Sequence, residues 1–546
     1  MTASAIPSPE TVWDTVEAGL SRDPRTGMNT AVEACGRHAR GPARLALIVH
    51  DGAGGSQRWT YQDLDRLAAR AARVFHRAGL RAGDRVAAVL SRQVESLIVA
   101  LAAWGSGLVY VPLFSGFGPD ALAHRLGAAG VRLVVVGHPW RRTLGQAADR
   151  LAGDLTVLTV AGDRGEGLWS GDRSFWAELD AVDGEGPAAT TAASDAATLM
   201  FTSGTVAGPK ACVIPHGGLL SLVPFARAAL GLDSDSLVFT TADPAWSYGL
   251  YTTGVVPMAL GVPRVMYGGD FDPQGWHRVM VEEQVTCLTG APAAYRRLAE
   301  ALTAGGVPPA LRTVSAAGEP LSAALARTWA DTGAPAIHDG YGLTEMGMVL
   351  GDLVAPETGT VPGSMAGPIP GFEVRLVDAH GEDVPVGDEG RIAVRRPRYQ
   401  LSVGYENRPE DWQRRWVGDL FVTEDLARQE PDGRWRFVGR ADDIIVTTGH
   451  NVSPVEVETV LLEHPGVLEA AAVAAPDPER GTVVRAVVVP GPDASPREAL
   501  AEELRDAVAR RVARYAMPRI IDFADSLPRT EVGKFRRAAL RASPPG

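Results

Sequence analysis

Residues 198–216 read TLMFTSGTVAGPKACVIPH, two apolar stretches joined by a loop of small and hydroxyl-bearing residues. The apolar stretches have the composition of buried strands. Within the loop, small residues let backbone N–H groups approach a polyphosphate, hydroxyls add donors, and Lys210 supplies a positive charge. The loop differs from the common P-loop, G-x-x-x-x-G-K-[ST], because Pro209 separates Gly208 from the lysine. On composition alone, a phosphate-binding loop and a flexible surface loop are equally good interpretations.

The segments around this loop alternate between helix-like and strand-like patterns. Residues 59–80 carry apolar side chains at helical spacing, and this pattern ends at Gly79. A short apolar strand, a second helix and a second strand are predicted in residues 85–113, and further apolar strands at 132–137, 155–160, 264–269 and 311–318. Strands that alternate with helices predict parallel sheets covered by helices on both faces, with ligands at the carboxyl ends of the strands.

The pattern changes near residue 370. Residues 371–378, 390–396 and 433–440 are short alternating strands separated by DG or GD turns, which predicts an antiparallel subdomain. About a hundred residues of mixed helix and strand follow Arg440. The sequence therefore predicts an α/β fold in two domains. The first, residues 1–439, has parallel-type sheets flanked by helices plus the antiparallel subdomain; the second, residues 440–546, is a smaller α+β domain.

Composition and charge restrict the possible classes of protein. The chain has 546 residues, 45% of them hydrophobic and 22% charged, which is typical of a soluble globular protein with more than one domain. A net charge of −12 argues against a nucleic-acid partner, because phosphate backbones require clustered Lys and Arg. Three cysteines without zinc spacing predict neither a metal cluster nor a disulfide framework.

Two segments bear on localisation. The N-terminal residues lack the charged start and apolar core of a signal peptide, so a cytoplasmic protein is expected. Residues 97–114 are uncharged and nearly long enough to span a membrane. Because Gly105-Ser106-Gly107 divides this segment, a buried helix followed by a buried strand is predicted there instead, with no membrane partner.

Motifs along the chain resemble those of a known superfamily. The loop at 202–211 resembles the T-S-G-T-T-G-x-P-K-G signature of adenylate-forming enzymes, which include acyl-CoA synthetases, luciferases and peptide-synthetase adenylation domains. Further matching motifs follow in order at Gly318-Glu319-Pro320, Tyr341-Gly342-Leu343-Thr344-Glu345, Gly439-Arg440-Ala441-Asp442-Asp443 and Pro528-Arg529-Thr530-Glu531-Val532-Gly533-Lys534. The resemblance covers residues 55–540 and is closest to acetyl- and medium-chain acyl-CoA synthetases.

This resemblance implies an activity and its cofactors. The expected reaction is ATP- and Mg²⁺-dependent adenylation of a small carboxylic acid to an acyl-AMP and pyrophosphate, followed by transfer to a thiol, with CoA as the expected co-substrate. The expected catalytic residues are Lys534, which would bridge the substrate carboxylate and the phosphate, together with Lys210 and the Mg²⁺ ligand Glu345, with Thr205 nearby. The C-terminal domain is expected to be mobile, and the protein to be a monomer or homodimer.

The resemblance also implies the remaining site residues. The expected nucleotide-binding residues are Thr202, Ser203, Gly204, Thr205, Gly318, Glu319, Pro320, Asp339, Gly340, Tyr341, Gly342, Thr344, Asp425 and Arg440. Asp442 is expected at the hinge between the domains, and Gly449 in the tunnel for the thiol, where the loop 449–454 would enter.

Two aspartates compete for the ribose-binding position. The superfamily has T-G-D there, and both Gly418-Asp419 and Glu424-Asp425 approach that pattern. Asp425 is preferred because it lies fifteen residues before Arg440, which is the spacing of the superfamily. A carboxylate suits this position because it can accept hydrogen bonds from both ribose hydroxyls.

The acid pocket is expected between residues 243–254, 289–292 and 316–319. Its expected residues are Trp246, Tyr248, Gly249, Tyr251, Gly290 and Ala317. Aromatic residues at this spacing are as often core as pocket, so both interpretations stay open. No Arg or Lys lies in 241–256, so a second carboxylate on the substrate has no evident partner there.

The chain also departs from the superfamily pattern. Val206, Ala207 and Ala211 replace a hydroxyl or glycines in the phosphate loop, and Glu424 replaces a glycine. Asn451 stands where many relatives have a basic residue, and Val446 where some have a lysine; both differences concern the expected thiol transfer.

Two other functions remain open. The first alternative is a stand-alone adenylating enzyme of secondary metabolism that passes an activated acid, or a small oxyacid such as nitrite, to a carrier protein or an amine. The second is a catalytically inactive nucleotide-binding scaffold. Retention of Glu345, Asp425 and Lys534 argues against the scaffold.

Overall fold

The computed structural model describes most of the chain. The described residues are 8–151, 154–161, 168–169, 171–184, 186, 188–202, 209–354, 359–447, 450–477, 481–492, 494–529 and 535–543.

The strands are numbered in chain order. In the first part of the chain they are β1 Leu45–His50, β2 Ser56–Thr60, β3 Arg85–Val89, β4 Val109–Leu113, β5 Val131–Gly137, β6 Thr156–Val160, β7 Arg173–Ser174, β8 Ala196–Thr202, β9 Lys210–Pro215, β10 Val238–Thr240, β11 Arg264–Tyr267, β12 Cys287–Gly290, β13 Thr313–Ala317, β14 Ile337–Leu343, β15 Gly347–Gly351 and β16 Gly367–Pro368. The remaining strands are β17 Val374–Val377, β18 Glu389–Arg395, β19 Gly404–Tyr405, β20 Trp416–Val417, β21 Leu420–Gln429, β22 Trp435–Arg440, β23 Ile445–Thr447, β24 His450–Val452, β25 Val467–Asp477, β26 Gly481–Pro490 and β27 Ile520–Phe523.

The α-helices are α1 Pro9–Ala18, α2 Tyr61–Arg77, α3 Val94–Gly105, α4 Pro119–Ala128, α5 Arg141–Ala148, α6 Phe175–Asp180, α7 Val223–Ala228, α8 Val256–Ala259, α9 Pro273–Glu282, α10 Pro292–Gly305, α11 Ala323–Ala330, α12 Pro409–Gln413, α13 Pro454–Leu462, α14 Arg497–Arg511 and α15 Arg537–Ala542. Short π-helical segments cover Val32–Gly36 and Tyr248–Val255, and 3₁₀ segments cover His138–Trp140 and His216–Leu222.

Two large sheets form the first part of the chain. One has the order β16-β15-β14-β13-β12-β10-β11-β1-β2 and the other β19-β9-β8-β4-β3-β5-β6-β7. Their central strands are parallel, as the alternation of helices and strands predicts. The edge strands β2, β16 and β19 pair antiparallel, whereas the edge strand β7 is parallel to β6. The β8–β9 pair is also antiparallel, because the short phosphate loop between them leaves no room for a crossover.

Helices α2 and α3 lie in the apolar core between the two sheets. The capping box of Thr60 and Asp63 starts α2, whose apolar face then packs into this core. Helix α3 is apolar all round and buried, and β4 follows it directly, which confirms the interpretation of residues 97–114. None of the helices in the described part of the chain combines the length and apolar composition needed to cross a bilayer.

The later strands form smaller sheets. Strands β17, β18, β20, β21 and β22 make the predicted antiparallel sheet. Beyond residue 440, the hairpin β23–β24 and the sheet β25-β26-β27 pack with α13 and α14 around a separate apolar core. Within the described ranges, none of the buried apolar clusters has members on both sides of residue 440.

Polar contacts connect the two parts instead. Arg296 on α10 donates to the Leu468 carbonyl at 3.2 Å, and Arg327 on α11 forms an ion pair with Glu463 at 3.2 Å. Arg529 lies 4.0 Å from Glu319 of the first part. The last contact places Arg529 close to the Gly318-Glu319-Pro320 segment.

Candidate functional site

Strand β14 and the turn after it carry several of the predicted nucleotide-binding residues. Asp339, Gly340, Tyr341 and Gly342 lie on β14, and Thr344 lies with Glu345 in the turn to β15. A Cβ on Gly342 would lie 2.5 Å from the Gly347 carbonyl oxygen, so only glycine lets the two strands approach this closely. The motif therefore lies at the carboxyl end of β14 in the nine-stranded sheet. Ligands in folds of this class bind at the carboxyl ends of strands.

The Tyr341 hydroxyl donates to Asp425 Oδ2 at 2.7 Å, although the two residues are 84 positions apart. Burial and the Asp425 carboxylate raise the pKa of Tyr341, so the tyrosine keeps its proton as the donor. Arg440 Nη1 lies 3.7 Å from Asp425 Oδ1, and Arg440 Nε donates to Asp442, the residue expected at the hinge, at 2.9 Å. Asp425 therefore adjoins two other predicted site residues, Tyr341 and Arg440.

The competing aspartate lies elsewhere. Asp419 forms an ion pair with Arg395 at 2.8 Å, and its side chain is 55% exposed. Glu424, which replaces the glycine of the superfamily pattern, contacts Arg391 and Arg415. The unusual glutamate therefore binds two arginines.

Tyr405 connects Glu345 with Lys210. Its hydroxyl donates to Glu345 Oε1 at 2.6 Å, and the Lys210 ammonium lies 4.9 Å from the centre of its ring. Lys210 also lies 3.6 Å from Asp411 Oδ2. Burial and the Glu345 carboxylate raise the pKa of Tyr405, which keeps the phenol protonated. Thr202, the last residue of β8, donates to the Lys210 carbonyl at 3.3 Å.

Asp339 pairs with a second aspartate. Its backbone N–H donates to Asp352 Oδ2 at 3.0 Å, and the Asp352 N–H donates to its carbonyl at 2.9 Å. Burial and the neighbouring Asp352 raise the pKa of Asp339 well above its usual range. Burial also raises the pKa of Asp352 to about 6. The predicted nucleotide residue Asp339 is therefore part of a buried carboxyl pair.

The loop after β13 contains Gly318, Glu319 and Pro320. Gly318 has φ +92°, and a Cβ there would lie 2.6 Å from Trp246 Cη2. The Trp246 ring therefore rests directly on the backbone of this loop, 5.3 Å from the Tyr248 ring. Ala317, which ends β13 directly before Gly318, is buried.

The other predicted pocket residues lie deeper. The Tyr251 hydroxyl shares a 2.8 Å hydrogen bond with Thr198 Oγ1, and its ring packs against Trp104 in the core. Gly249 packs on the Asp243 carbonyl, and Gly290 on the Thr241 hydroxyl. Neither glycine leaves room for a side chain, which explains their residue type.

Some of the predicted site residues lie outside the described residues. These are Ser203, Gly204 and Thr205 of the phosphate loop, Gly449 of the thiol tunnel and the catalytic Lys534. The roles of these residues stay predictions.

The sequence did not reveal several contacts at the site. Tyr405, Asp411 and Asp352 each adjoin a predicted residue, but none belongs to a motif used above. The short strand β19 brings Tyr405 beside β9, with Tyr405 opposite Cys212. A two-residue strand has no detectable periodicity, so this pairing leaves no signal in the sequence.

Magnesium fits the donors at this site. Mg²⁺ is commonly held by one or two carboxylates together with substrate phosphates. Glu345 supplies a half-buried carboxylate, oriented by a hydroxyl and close to the strand that leaves the phosphate loop. In the described part of the chain no group of three His, Cys, Asp or Glu could hold a metal by itself.

Known protein families match most of the chain. The family model of AMP-binding enzymes matches residues 36–406, and that of the AMP-binding enzyme C-terminal domain matches residues 456–534. "Acyl-coenzyme A synthetase ACSM4, mitochondrial" of Rattus norvegicus is 32% identical over 92% of this chain and 87% of the relative. "Acetyl-coenzyme A synthetase" of Bacillus subtilis (strain 168) is 31% identical over 94% of this chain and 90% of the relative.

A solved structure extends the likeness to the fold. The crystal structure of an acyl-CoA synthetase from Brucella canis has a TM-score of 0.76 and 36% identity, and covers 97% of this chain and 96% of its own. The predicted fold class and the predicted resemblance are both confirmed. The chain belongs to the AMP-binding enzyme family, among relatives that include acyl-CoA and acetyl-CoA synthetases.

Proposed function

We propose that this protein is an ATP-dependent, AMP-forming ligase that joins a small carboxylic acid to CoA. One observation carries the proposal: groups from separate motifs converge near the carboxyl end of β14 in the nine-stranded sheet. Tyr341 and Glu345 lie on β14 and its turn, Asp425 arrives from β21, and Lys210 from β9. The relatives named as CoA synthetases support the second half of the reaction.

In the first half-reaction, these groups would hold ATP for attack by the acid. Asp425 would accept the ribose hydroxyls, with the Tyr341 ring beside the adenine. Lys210 would neutralise phosphate charge, and Glu345 would hold a Mg²⁺ that supplies further charge neutralisation when bound. A carboxylate oxygen of the acid then forms a bond to the α-phosphorus, the bond from that phosphorus to the leaving oxygen breaks, and pyrophosphate departs.

Lys534 is proposed to align the two reacting anions. This role is supported by Arg529, five residues earlier, which lies between Glu319 and Glu469. Arg529 and Phe535 also form a β-bridge, so the two ends of the intervening segment lie together. A cation between the carboxylate and the phosphate would offset their repulsion and the charge that develops in the transition state.

In the second half-reaction, the CoA thiolate would attack the carbonyl carbon of the acyl-AMP. The new carbon–sulfur bond replaces the carbon–oxygen bond, and AMP departs. The C-terminal part would turn about Asp442 so that the loop with Gly449 admits the thiol. Arg440 supports this hinge, because it contacts both Asp425 at the nucleotide site and Asp442.

The acid is proposed to be an apolar monocarboxylate of medium-chain or aryl type. Trp246 and Tyr248 supply aromatic surface next to Gly318, and residues 241–256 contain no Lys or Arg for a second carboxylate.

The test is pyrophosphate release from a panel of acids, assayed with and without CoA. An acid–CoA ligase gives pyrophosphate with one class of acid and CoA-dependent AMP release. AMP release that ignores CoA but responds to an amine or a carrier protein would favour the alternative adenylating enzyme. ATP–pyrophosphate exchange that persists in Lys534→Ala would refute the role of that lysine, and no exchange with any acid would refute the adenylation itself.

A further inference from the structure

Tyr405 makes a specific contact with the carboxylate proposed to hold Mg²⁺. Its hydroxyl donates to Glu345 Oε1 at 2.6 Å, a short, charge-assisted hydrogen bond. The carboxylate belongs to the turn after β14, whereas the hydroxyl comes from residue 405, sixty positions later. Such a bond fixes the rotation of the carboxylate and leaves Oε2 available to a ligand.

The backbone of Tyr405 is itself fixed. It pairs with Cys212 on β9, and the next residue, Glu406, donates its N–H to the Ala211 carbonyl at 2.8 Å. The ring packs edge-to-face on Trp412 with 5.2 Å between ring centres. The phenol is therefore held next to β9, the strand that follows the phosphate loop. Through its hydrogen bond, it also fixes the position of Glu345 relative to β9.

The same ring contacts a second predicted site residue. The Lys210 ammonium lies over its face at 4.9 Å from the centre and 3.6 Å from Asp411, while Glu345 lies at its hydroxyl. Tyr405 therefore touches both the carboxylate proposed for the cation and the ammonium proposed for the phosphates.

We propose that Tyr405 is a positioning residue for adenylation, which holds the Glu345 carboxylate in its cation-binding orientation. This inference rests on the proposed function, because it concerns how MgATP is held. It assigns a role to a residue outside the motifs from which the site was predicted.

The experiment compares Tyr405→Phe with a matched control, Tyr399→Phe. Both variants keep the ring and lose a hydroxyl that donates to a glutamate; Tyr399 donates to Glu17 at 2.8 Å, away from the site. ATP binding is measured by calorimetry with EDTA and then at increasing Mg²⁺, and pyrophosphate exchange is measured over the same Mg²⁺ range. Thermal melting of each variant reports folding.

The expected result is a Mg²⁺ requirement raised about tenfold in Tyr405→Phe, the effect of one hydrogen bond to a charged group, with ATP binding in EDTA unchanged. Tyr399→Phe should match the wild type in both measurements. The inference is overturned if both variants show the same Mg²⁺ dependence, or if Tyr405→Phe weakens ATP binding equally with and without Mg²⁺. If the wild type binds no ATP, the proposed function itself fails, and the inference fails with it.

Discussion

Replacing Gly318 by alanine should damage the site through Trp246. Gly318 has φ +92°, where a side chain costs about 1–2 kcal/mol. The new Cβ would also lie 2.6 Å from Cη2 and 2.7 Å from Cζ2 of the Trp246 ring. Overpacking of this kind costs about 1–3 kcal/mol, so the expected loss of folding free energy is about 2–5 kcal/mol. Because the ring adjoins Tyr248, its displacement should also raise the KM for the acid.

Gly333→Ala is the matched control. Gly333 has φ +78°, but no atom lies within 4 Å of the position its Cβ would take. This variant should therefore lose only the backbone contribution of about 1–2 kcal/mol and keep its KM. Urea unfolding followed by tryptophan fluorescence and acid-dependent pyrophosphate release measure the two effects.

A second variant separates contact from strain. Adding Trp246→Phe to Gly318→Ala removes the two ring atoms that the Cβ would meet. The double variant should therefore be more stable than Gly318→Ala and should keep only the loss that comes from the backbone conformation. The reasoning is refuted if Gly318→Ala and Gly333→Ala unfold at the same urea concentration and have the same KM. It is also refuted if the double variant recovers no stability.

Three further outcomes are expected. Tyr251→Phe removes the 2.8 Å hydrogen bond to Thr198 and should lower the unfolding free energy by about 1 kcal/mol; an altered acid preference in the acid panel would show that Tyr251 lines the pocket after all. Asp425→Asn should keep a partner for the Tyr341 hydroxyl but weaken ATP binding about tenfold in calorimetry, and unchanged affinity would contradict the ribose role. Burial lowers the pKa of His216 to about 4 from 6.5, so the unfolded chain binds a proton between these values and the native state loses stability as the pH falls. Between pH 7 and pH 5 this loss is about 2 kcal/mol, and His216→Gln should remove it from urea titrations; an unchanged difference would count against the assignment.

Local signals predicted the architecture well. The helix at Tyr61–Arg77, the buried pair of α3 and β4, and the antiparallel strands after residue 370 each follow from periodicity within their own segment. The antiparallel pairing of β8 with β9 departs from the parallel pattern, because a loop too short for a crossover forces it.

The sequence predicts site residues only where they lie in motifs, and their roles stay predictions. Asp425 was chosen over Asp419 by spacing, and the structure places Asp425 beside Tyr341. The contact of Tyr405 with Glu345 could not be predicted, because it depends on how segments sixty residues apart meet. The position of Trp246 on Gly318 likewise follows from packing between separate segments and from a positive φ.

Within the described residues, charged and backbone groups cross the boundary near residue 440, such as Arg296 with the Leu468 carbonyl and Arg327 with Glu463, and no buried apolar cluster spans it. Parting the two sides at these contacts would return ions to water without wetting an apolar core. Such a separation should therefore produce little change in heat capacity. Its equilibrium should respond to ionic strength, because salt screens exposed charges within about 10 Å. The concentration of salt would then shift how often the C-terminal part separates from the rest of the chain.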